Sequence, residues 1–181
     1  MENDRLWAPW RLGYIKSTRT EAPAPRSLKL LDGADPGCFL CRGVAEDQDR
    51  ENLIVARGPR SVVVLNRYPY NNGHLLIAPR LHKASLADLD ADEHLELQRH
   101  LTRYVELLQR HLNAEGFNIG LNLGRIAGAG LPGHLHWHIV PRWSGDTNFM
   151  PVLAGIRVIP QSLDELWLQL RAAAGEEPTP L

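Results

Sequence analysis

A chain of 181 residues, 44% hydrophobic and 23% charged, is long enough for one domain to bury a core without covalent staples. A formal net charge of −1 excludes a bulk electrostatic grip on nucleic acid or an anionic membrane, so local donors must hold any anionic ligand. The acidic start Met1-Glu2-Asn3-Asp4 leads into no apolar run, which predicts neither a secretory signal nor a membrane span and points to the cytoplasm.

The chain reads as one domain over 1–181, with an arm and linker over 1–36, a core over 37–143 and an extension over 144–181. Residues 5–15 gather Trp7 and Trp10 beside Arg5 and Arg11, and Pro9 discourages a regular helix there. They read as an arm that pins its aromatics to the domain, or as an arm laid across a dimer partner. Residues 16–36, with Pro23, Pro25 and Pro36, read as a surface linker. The linker delivers Cys38-Phe39-Leu40-Cys41, a pair that in a reducing compartment signals metal or redox chemistry rather than a structural disulfide.

Leu53-Ile54-Val55-Ala56 and Ser61-Val62-Val63-Val64-Leu65 are β-branched runs around Gly58-Pro59-Arg60, a hairpin signal. Tyr68 to Gly73 is a turn by composition, and His74 to Pro79 reads as a third strand closed by proline. Asp90 to His111 is the strong helix, with Asp90 and Glu93 forming a capping-box pattern. Leu97, Leu101, Tyr104, Val105, Leu108 and Leu112 make its apolar stripe, and His94, His100 and His111 fall elsewhere, as solvated residues. Phe117 to Leu123 is a fourth strand. The glycine-rich run Gly124 to Gly133 follows, where backbone N–H groups can converge on an anion without side-chain obstruction. A short helix from about Ser162 to Ala173, capped by Ser162 with Glu165, closes the chain before a frayed end.

Between the glycine run and the tail, Gly133-His134-Leu135-His136-Trp137-His138-Ile139-Val140-Pro141-Arg142 alternates three histidines with Leu135, Trp137 and Ile139. That is the period of a half-buried strand, with the histidines in a row on one face and the apolar set in the core. A helix would scatter them. Three readings stand open on this pattern: a His-rich surface strand, a zinc site of neutral imidazoles, or a nucleophilic histidine flanked by acid, base or orienting groups. Hairpin-linked strands with one long helix give an α+β class.

The alternating histidines with Pro141-Arg142 behind them resemble the signature of the histidine triad family of nucleotide-binding proteins. Asn71-Asn72-Gly73-His74-Leu75-Leu76-Ile77-Ala78-Pro79-Arg80-Leu81-His82 resembles the family's glycine-histidine strand and its proline-basic-x-histidine end. Asn122-Leu123-Gly124 resembles the asparagine before its phosphate loop. The tryptophan-rich start, Asn66 to Asn71, Gly116 to Gly124, and Pro141-Arg142-Trp143 with Gly145-Asp146 look most like the bacterial diadenosine tetraphosphate phosphorylase branch.

The resemblance implies an antiparallel sheet of about five strands with one long helix and a C-terminal helix. It implies a homodimer along the long helix and an edge strand, with tetramers left open, and a small-molecule nucleotide as partner. It also implies attack by His136 on the α-phosphate of a dinucleoside polyphosphate, forming a nucleotidyl-histidine that phosphate or water then opens. His138 would contact phosphoryl oxygens or the leaving group, and Asn122 with the Gly128-Ala129-Gly130 backbone would bind phosphate. His74 would lie near the site and support the triad, or reads as a core histidine satisfied by backbone. Asn66 stands where many relatives place an aspartate for ribose, and it reads either so or as a turn residue. Trp143 reads as packing or as a base-stacking wall. Cys38, Cys41, His82 and His134 would form a closed structural zinc site. Magnesium is expected only as a companion of the polyphosphate, since no carboxylate cluster demands it.

Many members carry a Gln, Ser or Thr in the loop where this chain has Ala129 and Gly130, so a side-chain donor to phosphate is missing. The alternatives are a hydrolase or phosphoramidase that releases AMP, a nucleotide-sensing module with little turnover, and a zinc-binding structural protein.

Overall fold

The computed structural model describes residues 28–146 and 158–176. The expectations for the tryptophan arm, most of the linker and the frayed end therefore lie outside the described residues. Element order is α1 (Phe39–Ala45), β1 (Ile54–Arg57), β2 (Ser61–Leu65), β3 (Leu75–Pro79), α2 (Ala91–Leu112), β4 (Gly116–Leu121), β5 (Trp137–Arg142) and α3 (Leu163–Glu176). A single 3-10 turn, Leu86–Asp88, precedes α2. The strands form one five-stranded antiparallel sheet in the order β1-β2-β3-β5-β4. The α+β expectation holds. Among the described residues, no helix is long and apolar enough to cross a membrane.

Opposed residues of an antiparallel ladder share a face, so the register sorts the side chains. Val64, Leu76, His138 and Gly120 lie in one file across the sheet, and Leu65, Leu75, Ile139 and Ile119 lie in a file on the other face. Helix α2 covers the second face. A Cβ at Gly73, whose φ is +74°, would run into Leu108, Leu112 and Pro141. Helix α1 covers the β1 end of the first face, with Gly43 against Ile54.

Asp90 caps α2 through a capping box with Glu93, as its sequence predicts. The stripe Leu97, Leu101, Tyr104, Leu108 is buried, joined by Leu107, which the sequence pattern missed. Asn113 ends the helix in the left-handed conformation. Helix α3 starts as expected, with the Glu165 N–H on Ser162 Oγ at 3.2 Å, and runs on to Glu176.

The Cys-x-x-Cys segment opens a short helix: Cys38 is the N-cap of α1, its Sγ accepting the Cys41 N–H at 3.5 Å. Two local expectations need correction. His100 is buried rather than solvated, because the turn between β1 and β2 folds over that side of α2. There Ser61 Oγ donates to Glu96 at 2.5 Å and the Arg60 N–H to the same oxygen at 3.0 Å, beside the His100 ring. The histidine strand begins at Trp137, so His134 and His136 stand just ahead of the ladder.

Candidate active site and metal centre

The partners of each histidine ring fix which nitrogen carries its proton, since a carbonyl can only accept and a backbone N–H can only donate. His136 Nδ1 lies 2.8 Å from its neighbour His134's carbonyl oxygen, so Nδ1 is protonated and Nε2 keeps its lone pair. The Tyr70 N–H donates to His74 Nδ1 at 3.1 Å, so His74 carries its proton on Nε2. That Nε2–H donates to His138 Nδ1 at 2.8 Å, leaving the His138 proton on Nε2. The Nε2 of His138 is buried and meets no hydrogen-bond partner among the described residues. The arrangement thus presents one lone pair, on His136, beside one unengaged N–H, on His138, with ring centroids 5.1 Å apart.

Burial keeps the His74 and His138 rings neutral. Desolvation, then the neighbouring His138 and His136, push His74 down to about 3. Desolvation, then His136, push His138 down to about 4. Tyr70 stacks on His138 with centroids 5.9 Å apart and lies tilted against His74 at 4.7 Å.

On the other side of His136, Cys38, Cys41, His82 and His134 bring one ligand atom each to within 4.8 Å of one another. Cys38 Sγ lies 3.3 Å and Cys41 Sγ 3.5 Å from His134 Nδ1, and Cys41 Sγ lies 3.3 Å from His82 Nδ1. Sulfur and nitrogen ligands of a tetrahedral zinc stand about 3.5 Å apart, so the spacing fits that ion. The protonation fits as well: His134 Nε2–H donates to the Pro79 carbonyl at 2.8 Å, which leaves Nδ1 as the ligand atom. Burial pushes the Cys38 thiol up to about 11, so a metal must displace its proton to bind.

The other residues singled out from the sequence divide. Asn122 stands one residue past Leu121, which pairs with Trp137, and so is level with His136 at the end of β4. Gly128 and Ala129 turn their N–H groups inward, to Arg125 O at 3.1 Å and Gly124 O at 3.3 Å, instead of offering them to an anion. Around Gly130 the space is open. Asn66 behaves as a turn residue, its Oδ1 accepting the Tyr68 N–H at 3.0 Å, while its Nδ2 lies 3.1 Å from His74 Nδ1. Trp143 makes a contact that fits the packing reading of the two left open. Five residues beyond His138, about 17 Å along an extended chain, it donates its indole N–H to Leu112 O at 3.1 Å.

A feature the sequence reading missed is an apolar slot of about 330 Å³ on the histidine face, lined by Phe39, Leu53, Val64, Leu65, Asn66 and Leu76 among others. Its walls come from α1, the β1 entry and two strands, and no single stretch of sequence announces it. Leu76 belongs to it and pairs with His138, so the slot opens beside the cluster.

Comparison with known proteins agrees with this geometry. A family model described as the HIT domain matches residues 48–145. An AP-4-A phosphorylase of Mycobacterium tuberculosis is 41% identical over 159 residues, 88% of this chain and 78% of that protein. The crystal structure of a Zn-bound histidine triad family protein from Mycobacterium smegmatis aligns with a TM-score of 0.57 at 27% identity, covering 68% of this chain and 84% of that one. A hypothetical histidine triad nucleotide-binding protein from Sulfolobus tokodaii shares the fold at a TM-score of 0.61 and 24% identity, over 76% and 92% of the two chains.

Proposed function

This chain belongs to the HIT domain family, and we propose that it cleaves dinucleoside polyphosphates at the α-phosphate through a nucleotidyl-His136 intermediate, with phosphate as the favoured acceptor. The observation that carries the reading is the pairing of a bare Nε2 on His136 with an unengaged N–H on His138. The nucleoside occupies the apolar slot beside Leu76, which sets its α-phosphate against the two rings.

In the first step the His136 Nε2 lone pair forms a bond to the α-phosphorus and the phosphorus–oxygen bond to the leaving nucleotide breaks. The positive charge that develops on His136 is met by the His134 carbonyl at Nδ1. Neutral His138 donates Nε2–H to the leaving oxygen and offsets its growing charge. Asn122 contributes an amide N–H to the same phosphoryl group. Phosphate then opens the phosphorus–nitrogen bond to give ADP, or water opens it to give AMP, and His136 recovers its lone pair.

Cys38, Cys41, His82 and His134 would hold a zinc ion, which would supply a structural cross-link between α1 and the histidine segment. Among the described residues that is the one group of His, Cys, Asp or Glu placed to hold a metal, so magnesium would ride on the polyphosphate. The reading includes one domain over 1–181 and a homodimer along α2 and edge strand β4, where Ile119 is 49% exposed. A nucleotide sensor of low turnover is the second reading, favoured by the inward-turned Gly128 and Ala129 N–H groups.

The deciding experiment is product analysis of diadenosine tetraphosphate with and without inorganic phosphate. ADP and ATP formed only with phosphate support the phosphorylase. AMP and ATP formed under both conditions make the protein a hydrolase, and binding without products makes it a sensor.

A further inference from the structure

The segment from Leu131 to His136 precedes β5 and so lies outside the ladder that fixes the rest of the strand. It is held by the His134 N–H on Leu131 O at 3.3 Å, the Leu135 N–H on Lys83 O at 2.7 Å, and the His134 ring on Pro79 O at 2.8 Å. The peptide unit joining His134 to Leu135 is tied at both ends. Its carbonyl accepts from His136 Nδ1 at 2.8 Å, while its N–H reaches the residue directly after His82. Gly133 rests on the same ligand, since a Cβ there would meet His82 Nε2 at 3.2 Å. Two members of the donor set, His82 and His134, therefore flank the one peptide that selects the tautomer of His136.

We propose that the Cys38–Cys41–His82–His134 centre is a positioning device for the nucleophile. A cation shared by those side chains locks the His134–Leu135 peptide, whose carbonyl keeps the His136 proton on Nδ1 and its lone pair on Nε2. His134 acts twice, through its ring towards the metal and through its backbone towards His136, and it is a positioning residue rather than a catalytic one. The inference rests on the reading of His136 as nucleophile.

The physical reason is that an imidazole without a fixed acceptor exchanges between its two neutral tautomers, and the Nε2–H form has no lone pair to offer phosphorus. Releasing His82 and His134 from a common point removes the constraint that seats residues 82–83 against 133–135. The peptide is then held only by the Leu135 N–H on Lys83 O and the His134 ring on Pro79 O, and its carbonyl gains freedom of direction. Partners that orient a reactive ring in this way are worth roughly 10- to 100-fold in activity.

The test uses the full chain, loaded with zinc and then stripped by a chelator. Nitrogen–proton correlation spectra of the histidine side chains are recorded in both states, together with trapping of labelled nucleotide from diadenosine tetraphosphate. The loaded chain is expected to show His136 as a single Nδ1–H tautomer and the stripped chain a mixture. Adduct formation should fall roughly tenfold or more, with nucleotide binding nearly unchanged.

His82→Asn gives a second route, because it keeps Cys38, Cys41, His134 and the sheet while weakening the site. The tautomer can then be followed as zinc is titrated into a folded chain. An unchanged His136 spectrum between metal-free and loaded folded protein overturns the proposal. Collapse of amide dispersion on zinc loss in both chains overturns it too, since the ion would then hold the whole fold and not this peptide. Full product formation by His136→Ala would instead overturn the nucleophile assignment, a separate failure that the tautomer spectra of the wild-type chain leave untouched.

Discussion

Leu76 and His138 oppose each other across the β3–β5 ladder, one lining the apolar slot and the other the histidine cluster. On the proposed reading, one rung of sheet sets the distance between a bound base and the reacting phosphorus. Phe39 closes the slot from α1 and is itself 51% exposed, so its truncation removes ligand contact more than core packing. Phe39→Ala is expected to raise KM on the order of tenfold, the scale of one lost aromatic contact, and to leave kcat and the thermal midpoint nearly as they were. Steady-state kinetics with a melting curve check this, and a fall in kcat at constant KM would place the nucleoside elsewhere.

In the proposed mechanism His74 acts through His138, to which it is hydrogen-bonded. His74→Gln removes a ring whose Nε2–H fixes the His138 tautomer, and should lower kcat roughly 10- to 100-fold while KM stays within about twofold. An equal loss in kcat and in nucleotide affinity would show that His74 shapes the pocket instead.

Burial of His74 and His138 also sets a pH dependence of stability. Both have folded values below the ordinary 6.5, at about 3 and about 4. Between those values and 6.5 the unfolded chain binds protons that the folded chain refuses, so unfolding becomes easier as pH falls. Stability from this source is whole above about pH 6.5 and declines through the window down to about 3 to 4. Denaturant titrations at several pH values should show that decline, and His74→Gln should flatten part of it.

The buried cluster under the β1–β2 turn is a matter of stability and not of catalysis. Ser61 is fully buried and donates to Glu96, so Ser61→Ala strips a carboxylate of one short hydrogen bond. The expected cost is about 1–3 kcal/mol of unfolding free energy with kcat and KM unchanged, measured by urea unfolding beside a rate assay. A stability change near zero would mean that Arg60 alone satisfies Glu96.

Trp143→Phe keeps the packing and loses the bond to Leu112 O, for about 1 kcal/mol, with no change in KM. A rise in KM would restore the indole to the substrate site.

Local periodicity made much of this molecule legible. The β2 and β3 runs, the capping box at Asp90 and Glu93, and the metal quartet are all patterns within a few residues or a family resemblance. What escaped was set by distant parts of the chain. His100 sits on the polar side of an amphipathic pattern and is covered only because a hairpin turn folds onto it. Phe39 looks like a spacer between cysteines until α1 places it in the wall of the slot that Val64 and Leu76 also line. Trp143 shares a motif with the histidines but leaves their neighbourhood, because an extended strand carries five residues about 17 Å. Glycine content shows the freedom of the loop but not that the Gly128 and Ala129 N–H groups turn to its own carbonyls.

Cys38 and His134 meet at 3.3 Å although 96 positions separate them. A ribosome adding about 5–20 residues each second takes roughly 5–20 s to make that interval. For those seconds the two thiols are without the side chain that completes their site, and the burial that lifts Cys38 to about 11 does not yet exist. Nascent thiols of ordinary acidity are open to oxidation, and a Cys38–Cys41 disulfide formed then would block the centre before His134 arrives. Closing of this quartet therefore requires that both thiols stay reduced until His134 has been made.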